Sequence, residues 1–332
     1  MNTEENKSDQ IIIKKIEHTD EFIKVSNFFE EVSHNKNLDK FVLSNEYCEQ
    51  KDNYSSFYYA CIDDEVCGTL GVISFDIVKN EEKFKTLMLE RCLVSPKHRD
   101  KKIFKLLQNT AYNNETLNDI SFIWSLTPLS DVFIKSGYEV YNCLSDLYIK
   151  MYDNINISID KNITFTENKY SEDLNEYSLI REFINKNKDV YFMYQSFNKL
   201  DWLIKTPNVK RVIYKFFYYD KFIGYVICRI FKSTDNYRMR IEDFIIIKQD
   251  LIMPIISIII NIANGKNIES MSFLHNKSNY YSKIIALIME KIGFEEKIYP
   301  ANFIIKSLNG SYFDIKDLYI NASWSPPYWA SP

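Results

Sequence analysis

YACIDDEVCGTLGVIS (residues 59–74) and KFFYYDKFIGYVICRI (215–230) follow one pattern: an apolar run, an acidic turn, a glycine and a second apolar run, with Asp64 over Asp220 and Gly68 over Gly224 at an offset of 156. Apolar runs joined by so short a turn read as β-hairpins. Working outward, ERCLV (90–94) lies over EDFII (242–246) at an offset of 152, ISFIW (120–124) over MSFLH (271–275) at 151, and KSGYE (135–139) over KIGFE (291–295) at 156. LYIK (147–150) and FIIK (303–306) follow the last pair as apolar strands ending in lysine, and IIIKKIEHTDEF (11–22) and ITFTENKYSEDL (163–174) open each half as a strand, a polar capping stretch and a helix. The chain is an internal duplication, and each half predicts the order β, α, β, β, β, α, β, α, β.

A chain of 332 residues has room for two such units. The polar segment MNTEENKSDQ (1–10) predicts a disordered start, residues 11–152 a first α/β domain, and residues 160–332 a second, with the boundary in the Asn-rich DNINISIDKN (153–162). The tail SWSPPYWASP (323–332) pairs prolines with two tryptophans and suggests a segment packed across a surface. With 46% apolar residues the chain can build ordinary cores. Its 41 Lys+Arg against 45 Asp+Glu give a net charge of −4, which argues against a nucleic-acid or anionic-membrane partner. Six cysteines without a CxxC pair read as small buried residues in a reducing compartment, no metal site is expected, and without a signal peptide the expected location is cytoplasmic. LIMPIISIIINIA (251–263) is too short to span a membrane and predicts a buried helix that Asp250 can cap.

LMLERCLVSPKHRDKKIFKLLQNTA (87–111) reads as an apolar strand, a Pro-containing turn and a helix with Ile103, Leu107 and Ala111 on one face. Arg99, Lys101, Lys102 and Lys105 crowd the start of that helix, where unpaired N–H groups already make the potential positive. A phosphate or pyrophosphate there resolves the conflict; a solvated lysine face is the other reading. The second half has no such cluster.

Val94, Pro96, Arg99, Ile103, Leu106, Leu107 and the Gly137-Tyr138-Glu139 element resemble the signature of the GCN5-related N-acetyltransferases (GNAT): an apolar strand, V-x-P, Q/R-x-x-G-x-G/A opening a helix, and a closing G-F-E. Lys102 and Phe104 stand where the signature has Gly and Gly or Ala, which works against close approach of the backbone to a pyrophosphate. The resemblance implies two tandem GNAT-like domains of α/β (α+β) class, each a mixed, mostly antiparallel sheet flanked by helices, the second with a degenerate motif. It implies acyl-coenzyme A, as acetyl-CoA, for a co-substrate, held by Cys92, Leu93, Val94, Arg99, Asp100, Lys101, Lys102, Ile103 and Phe104. It also implies direct transfer to a primary amine of a small molecule such as an amino sugar or amino acid.

The amine arrives protonated, so a carboxylate is wanted as base, and Glu90 is the candidate: alternation along the strand puts it on one face with Met88, Cys92 and Val94. The family's tyrosine acid falls at Phe133. Ser125 and Thr127 read as caps, His98 as a surface residue, His275 as packing, and the paired acids Glu242 and Asp243 as solvated. Two further readings stay open: a non-catalytic tandem module binding a ligand or partner, and an aminoacyl transferase of the peptidoglycan-bridge type.

Overall fold

The computed structural model describes residues 10–34, 38–48, 55–115, 117–151, 160–167, 174–187, 190–193, 205, 209–233 and 236–319. The expected disordered start, the C-terminal tail and most of the 153–162 boundary lie outside the described residues. The first half runs β1 (Ile12–Lys15), α1 (Phe22–Ser33), α2 (Lys40–Cys48), β2 (Ser55–Ile62), β3 (Glu65–Lys79), β4 (Glu82–Val94), α3 (Ile103–Asn114), β5 (Phe122–Thr127), α4 (Ser130–Ile134), β6 (Glu139–Tyr141) and β7 (Leu144–Lys150). The second half runs β8 (Ile163–Glu167), α5 (Leu174–Lys186), β9 (Phe192–Met193), β10 (Lys210–Tyr218), β11 (Lys221–Ser233), β12 (Asn236–Ile246), α6 (Ile252–Gly265), β13 (Ile268–Asn276), α7 (Tyr280–Ile292), β14 (Glu295–Ile298) and β15 (Asn302–Ser307). Both predicted hairpins form, as β2–β3 and β10–β11. Three features exceed the predicted order: α2 follows α1, the short β9 precedes β10, and each half ends in two strands rather than one.

Those last strands change places. One sheet has the order β1-β2-β3-β4-β5-β15-β6, with β9 beside β3, and the other the order β14-β7-β13-β12-β11-β10-β8. LYIK of the first half therefore lies between strands of the second, and FIIK of the second between β5 and β6 of the first. Both are interior strands, and their apolar residues Leu147, Phe303, Ile304 and Ile305 are almost fully buried. Each sheet is mostly antiparallel, with one parallel pair at its centre, β4–β5 and β12–β13.

Helix α3 lays Ile103, Leu107 and Ala111 on one face of the first sheet, against Leu70, Leu87 and Leu89. A Cβ on Gly68 would stand 2.7 Å from Ile103 Cγ2, so glycine sets the depth of that contact. Helices α1 and α2 cover the opposite face with Phe22, Val25, Val42 and Tyr47. Helix α6 is buried nearly all round, as its run of isoleucines demands. Asp250 does not cap it: the chain enters through a short 3-10 turn at Gln249–Leu251 and no side chain bonds the first amides. All six cysteines are free thiols; Cys48 is exposed, against the expectation of burial, and Cys92 half-buried. No helix among the described residues is long and apolar enough to cross a membrane.

Candidate active site

Strand β4 decides the site. It pairs with β5 only through Thr86↔Phe122, Leu87↔Ile123 and Met88↔Trp124; beyond Met88 the two diverge, and residues 89–94 have no ladder on that side among the described residues. On its other side β4 pairs with β3, and between Glu90↔Gly71 and Leu93↔Thr69 it carries one residue more than its partner. Arg91 absorbs this bulge at φ 52, a conformation costly for a residue with a Cβ. The bulge breaks the expected alternation. Met88 lies on the α1/α2 face, with Glu90 and Arg91 both turned to α2, while Cys92 and Val94 pack on the α3 face. Glu90 thus shares a face with Met88 but not with Cys92 or Val94.

Glu90 is 2% exposed. Its Oε1 accepts a hydrogen bond from Tyr47 Oη, and among the described residues its Oε2 has no partner. Gly71 makes that contact possible, since a Cβ there would lie 2.0 Å from Tyr47 Oη. Next to it Arg91 grips Glu46 of α2, with Nη2 donating to Oε1 at 2.7 Å and Oε2 at 3.0 Å. Burial pushes the Glu90 carboxyl up to about 8; Arg91 and the Tyr47 hydrogen bond pull it down, and Glu46 adds to the rise. Glu46 is likewise raised by burial against the pull of Arg91, and Arg91 is held firmly charged by its two acidic neighbours despite burial. Glu90 is therefore a buried carboxyl poised near neutrality, with one buried oxygen left unpartnered among the described residues.

The cationic turn lies at the end of the same strand. Residues Pro96–Lys101 form a 3-10 segment, and Lys102 then takes φ 55, ψ 27 before α3 begins. Lys102 so adopts the left-handed conformation that glycine favours at its signature position. Among the described residues no side chain caps the first amides of α3, and Arg99, Asp100, Lys102 and Lys105 are exposed around them, with Lys101 half-exposed. Phe104 turns into the packing, 5.1 Å from the ring of Phe133, away from the amides. Open amides, a left-handed entry and surrounding cations fit a pyrophosphate.

Phe133 is buried against Tyr138 at 5.3 Å. The Tyr138 and Tyr112 hydroxyls bond each other, Gln108 Nε2 donates to Tyr112 at 2.9 Å, and both tyrosines lie near Cys92. Burial pushes Tyr112 up to about 12. Thr127 Oγ1 accepts from the amide of Leu129 at 3.0 Å, a turn cap as expected. His275 is packed, stacking 6.3 Å from Phe273, and burial lowers it to about 4. His98 is half-buried rather than on the open surface. Glu242 and Asp243 are each 1% exposed, not solvated: Glu242 sits between Arg211 and Arg229, and Asp243 accepts from Tyr225 Oη at 2.9 Å. Sequence reasoning misses Tyr47, Glu46 and the Tyr112–Tyr138 pair; only the Gly137-Tyr138 element carries a signal, and there the glycine rather than the tyrosine draws the eye.

No family model matches the chain, and no curated protein matches it. Solved structures do. A GCN5-related N-acetyltransferase from Anabaena variabilis superimposes with a TM-score of 0.67 at 14% identity, covering 90% of this chain and 73% of that one. A tandem GNAT protein from the clavulanic acid biosynthesis pathway gives 0.61 at 8%, covering 90% and 98%. Saccharomyces cerevisiae N-myristoyltransferase, solved with bound myristoyl-CoA, gives 0.62 at 8%, covering 92% and 83%. The chain has the tandem GNAT fold, two mixed sheets flanked by helices.

Proposed function

We propose that this protein is an acyl-CoA-dependent N-acyltransferase that moves an acetyl group to the primary amine of a small molecule at the first half's diverging strands. The observation that carries this reading is the coincidence on one strand of a β4–β5 opening, a buried carboxyl with a free oxygen at its bulge, and an anion-ready helix start at its end. Acetyl-CoA would supply the acyl group as a thioester, held by the open amides of α3, by Arg99, Lys101 and Lys102, and along residues 92–94. Glu90 Oε2 accepts the proton that the ammonium must lose, and a carboxyl near 8 matches that task at neutral pH. Backbone N–H groups on the unpaired edge of β4 polarise the carbonyl. Tyr47 orients Glu90, and Tyr138 or Tyr112, on the Cys92 side, is the candidate proton donor to sulfur in place of Phe133.

Release of free thiol from acetyl-CoA in the presence of a panel of amines tests the reading. Turnover with at least one amine, reduced about 10²-fold or more in Glu90→Gln, is expected; no turnover with any amine would leave a binding module instead.

A further inference from the structure

Strands β10, β11 and β12 each bring an arginine to one level. Arg211 faces Arg229, and Arg229 faces Arg240, in the antiparallel register. Three guanidiniums stand side by side on one face of the sheet, at 7, 5 and 4% exposure. Like charges directly opposite one another are unfavourable, and burial makes them more so. Two carboxylates answer them: Glu242 meets Arg211 Nε at 2.5 Å and Arg229 Nε at 3.3 Å, and Asp146 of the exchanged strand β7 accepts from Arg240 Nη2 at 3.2 Å. Nearby, Lys215 pairs with Glu176 and Arg91 with Glu46, while Asp243 accepts a hydrogen bond from the neutral Tyr225 hydroxyl.

Within the row, Arg229 has to share Glu242 with Arg211. Among the described residues the buried Nε of Arg229 has no hydrogen-bond partner, nor has that of Arg240. Beside the two flanking arginines, Arg229 meets Glu242 and, at 5.1 Å, the ring of Phe231. Burial depresses its pKa, and Arg211 and Arg240 add to the fall against the pull of Glu242. The planar fork of arginine suits a carboxylate. The row also points toward the first half. Arg211 lies close enough to Glu46 to lower its pKa, and Arg240 lies 5.8 Å from the ring of Tyr299, which packs in the core of the first sheet.

We propose that Arg229 and Arg240, with Arg211 beside them, form a subsite for a carboxylate on the acceptor, so that the acceptor is an amino acid rather than a neutral amino sugar. This rests on the N-acyltransferase reading for the word acceptor, but the subsite is tested without it. The full chain, free of coenzyme A and in low chloride, is titrated calorimetrically with the twenty α-amino acids, with ω-amino acids from β-alanine to 6-aminohexanoate, with the carboxamide of each, and with glucosamine. At least one amino acid binds tenfold or more tighter than its amide, glucosamine does not compete, and in Arg229→Met the preference falls to within about twofold. If Arg229→Met does not fold, Arg229→Lys serves, which keeps the charge and loses the fork and is expected to lose most of the preference. Equal binding of every acid and amide, no binding of either, or a preference unchanged by the substitution overturns the proposal. Failure to bind acetyl-CoA would overturn the transferase reading alone.

Discussion

Glu90→Gln separates the buried carboxyl from every other acid in the chain by its pH dependence. In the unfolded chain Glu90 titrates near 4.5, and in the native protein near 8. Between those values the native state holds a proton that the unfolded state has released, so stability falls as pH rises through that window. The shift amounts to about 5 kcal/mol once both states are ionised. The amide of the Glu90→Gln variant carries no titrating proton, so the variant lacks this loss. Urea denaturation of the two proteins at pH 5, 7 and 9 should give nearly equal stabilities at pH 5, with the variant ahead by a few kcal/mol at pH 7 and on the order of 5 kcal/mol at pH 9. The same carboxyl as base makes kcat/KM of the wild type rise with pH and level off above about 8. Parallel stability curves, or a wild type that gains on the variant as pH rises, would refute the burial argument.

Three further outcomes follow from particular contacts. Gly71→Ala puts a methyl group 2.0 Å from Tyr47 Oη; the ring must move, thermal melting should report a loss of about 1–3 kcal/mol, and the midpoint of the pH–rate profile should rise because a hydrogen bond to ionised Glu90 is lost. Glu46→Gln strands the buried Arg91 guanidinium and should cost about 3–5 kcal/mol, much of it restored in Glu46→Gln/Arg91→Met, as a denaturation double-mutant cycle would read. Residues 11–152 and 160–332 expressed apart each lack an interior strand, β15 or β7. Neither should give a folded protein by circular dichroism, co-expression should restore both, and a half that folds alone would contradict the exchange.

The duplication, both hairpins and the cationic helix start are legible in the sequence because they are local patterns: alternation, a turn glycine, charge clustered at a helix end. The strand exchange is not, since LYIK and FIIK have the same apolar alternation whichever sheet they enter, and only tertiary pairing selects the partner. The faces of β4 escape the sequence for a related reason. Alternation holds until a bulge, and Arg91 at φ 52 carries nothing in its sequence neighbourhood to announce one. Lys102 shows the converse, a non-glycine holding the conformation that the signature position needs. Tyr47, Glu46 and the row Arg211, Arg229, Arg240 are scattered along the chain and become a group only through register and helix placement, so no motif search could assemble them. Glu242 and Asp243 read as solvated because two adjacent acids usually lie in water; the arginine row and Tyr225 hold them inside instead.

The central claim is that the first half binds acyl-CoA with its phosphates at the start of α3. Isothermal titration of the full chain with acetyl-CoA, at low and raised salt, beside Arg99→Ala/Lys101→Ala tests it directly. Micromolar binding that weakens with salt, and that falls at least tenfold in the double variant, is the predicted result. No binding by the wild type, or equal binding by the variant, would contradict the claim.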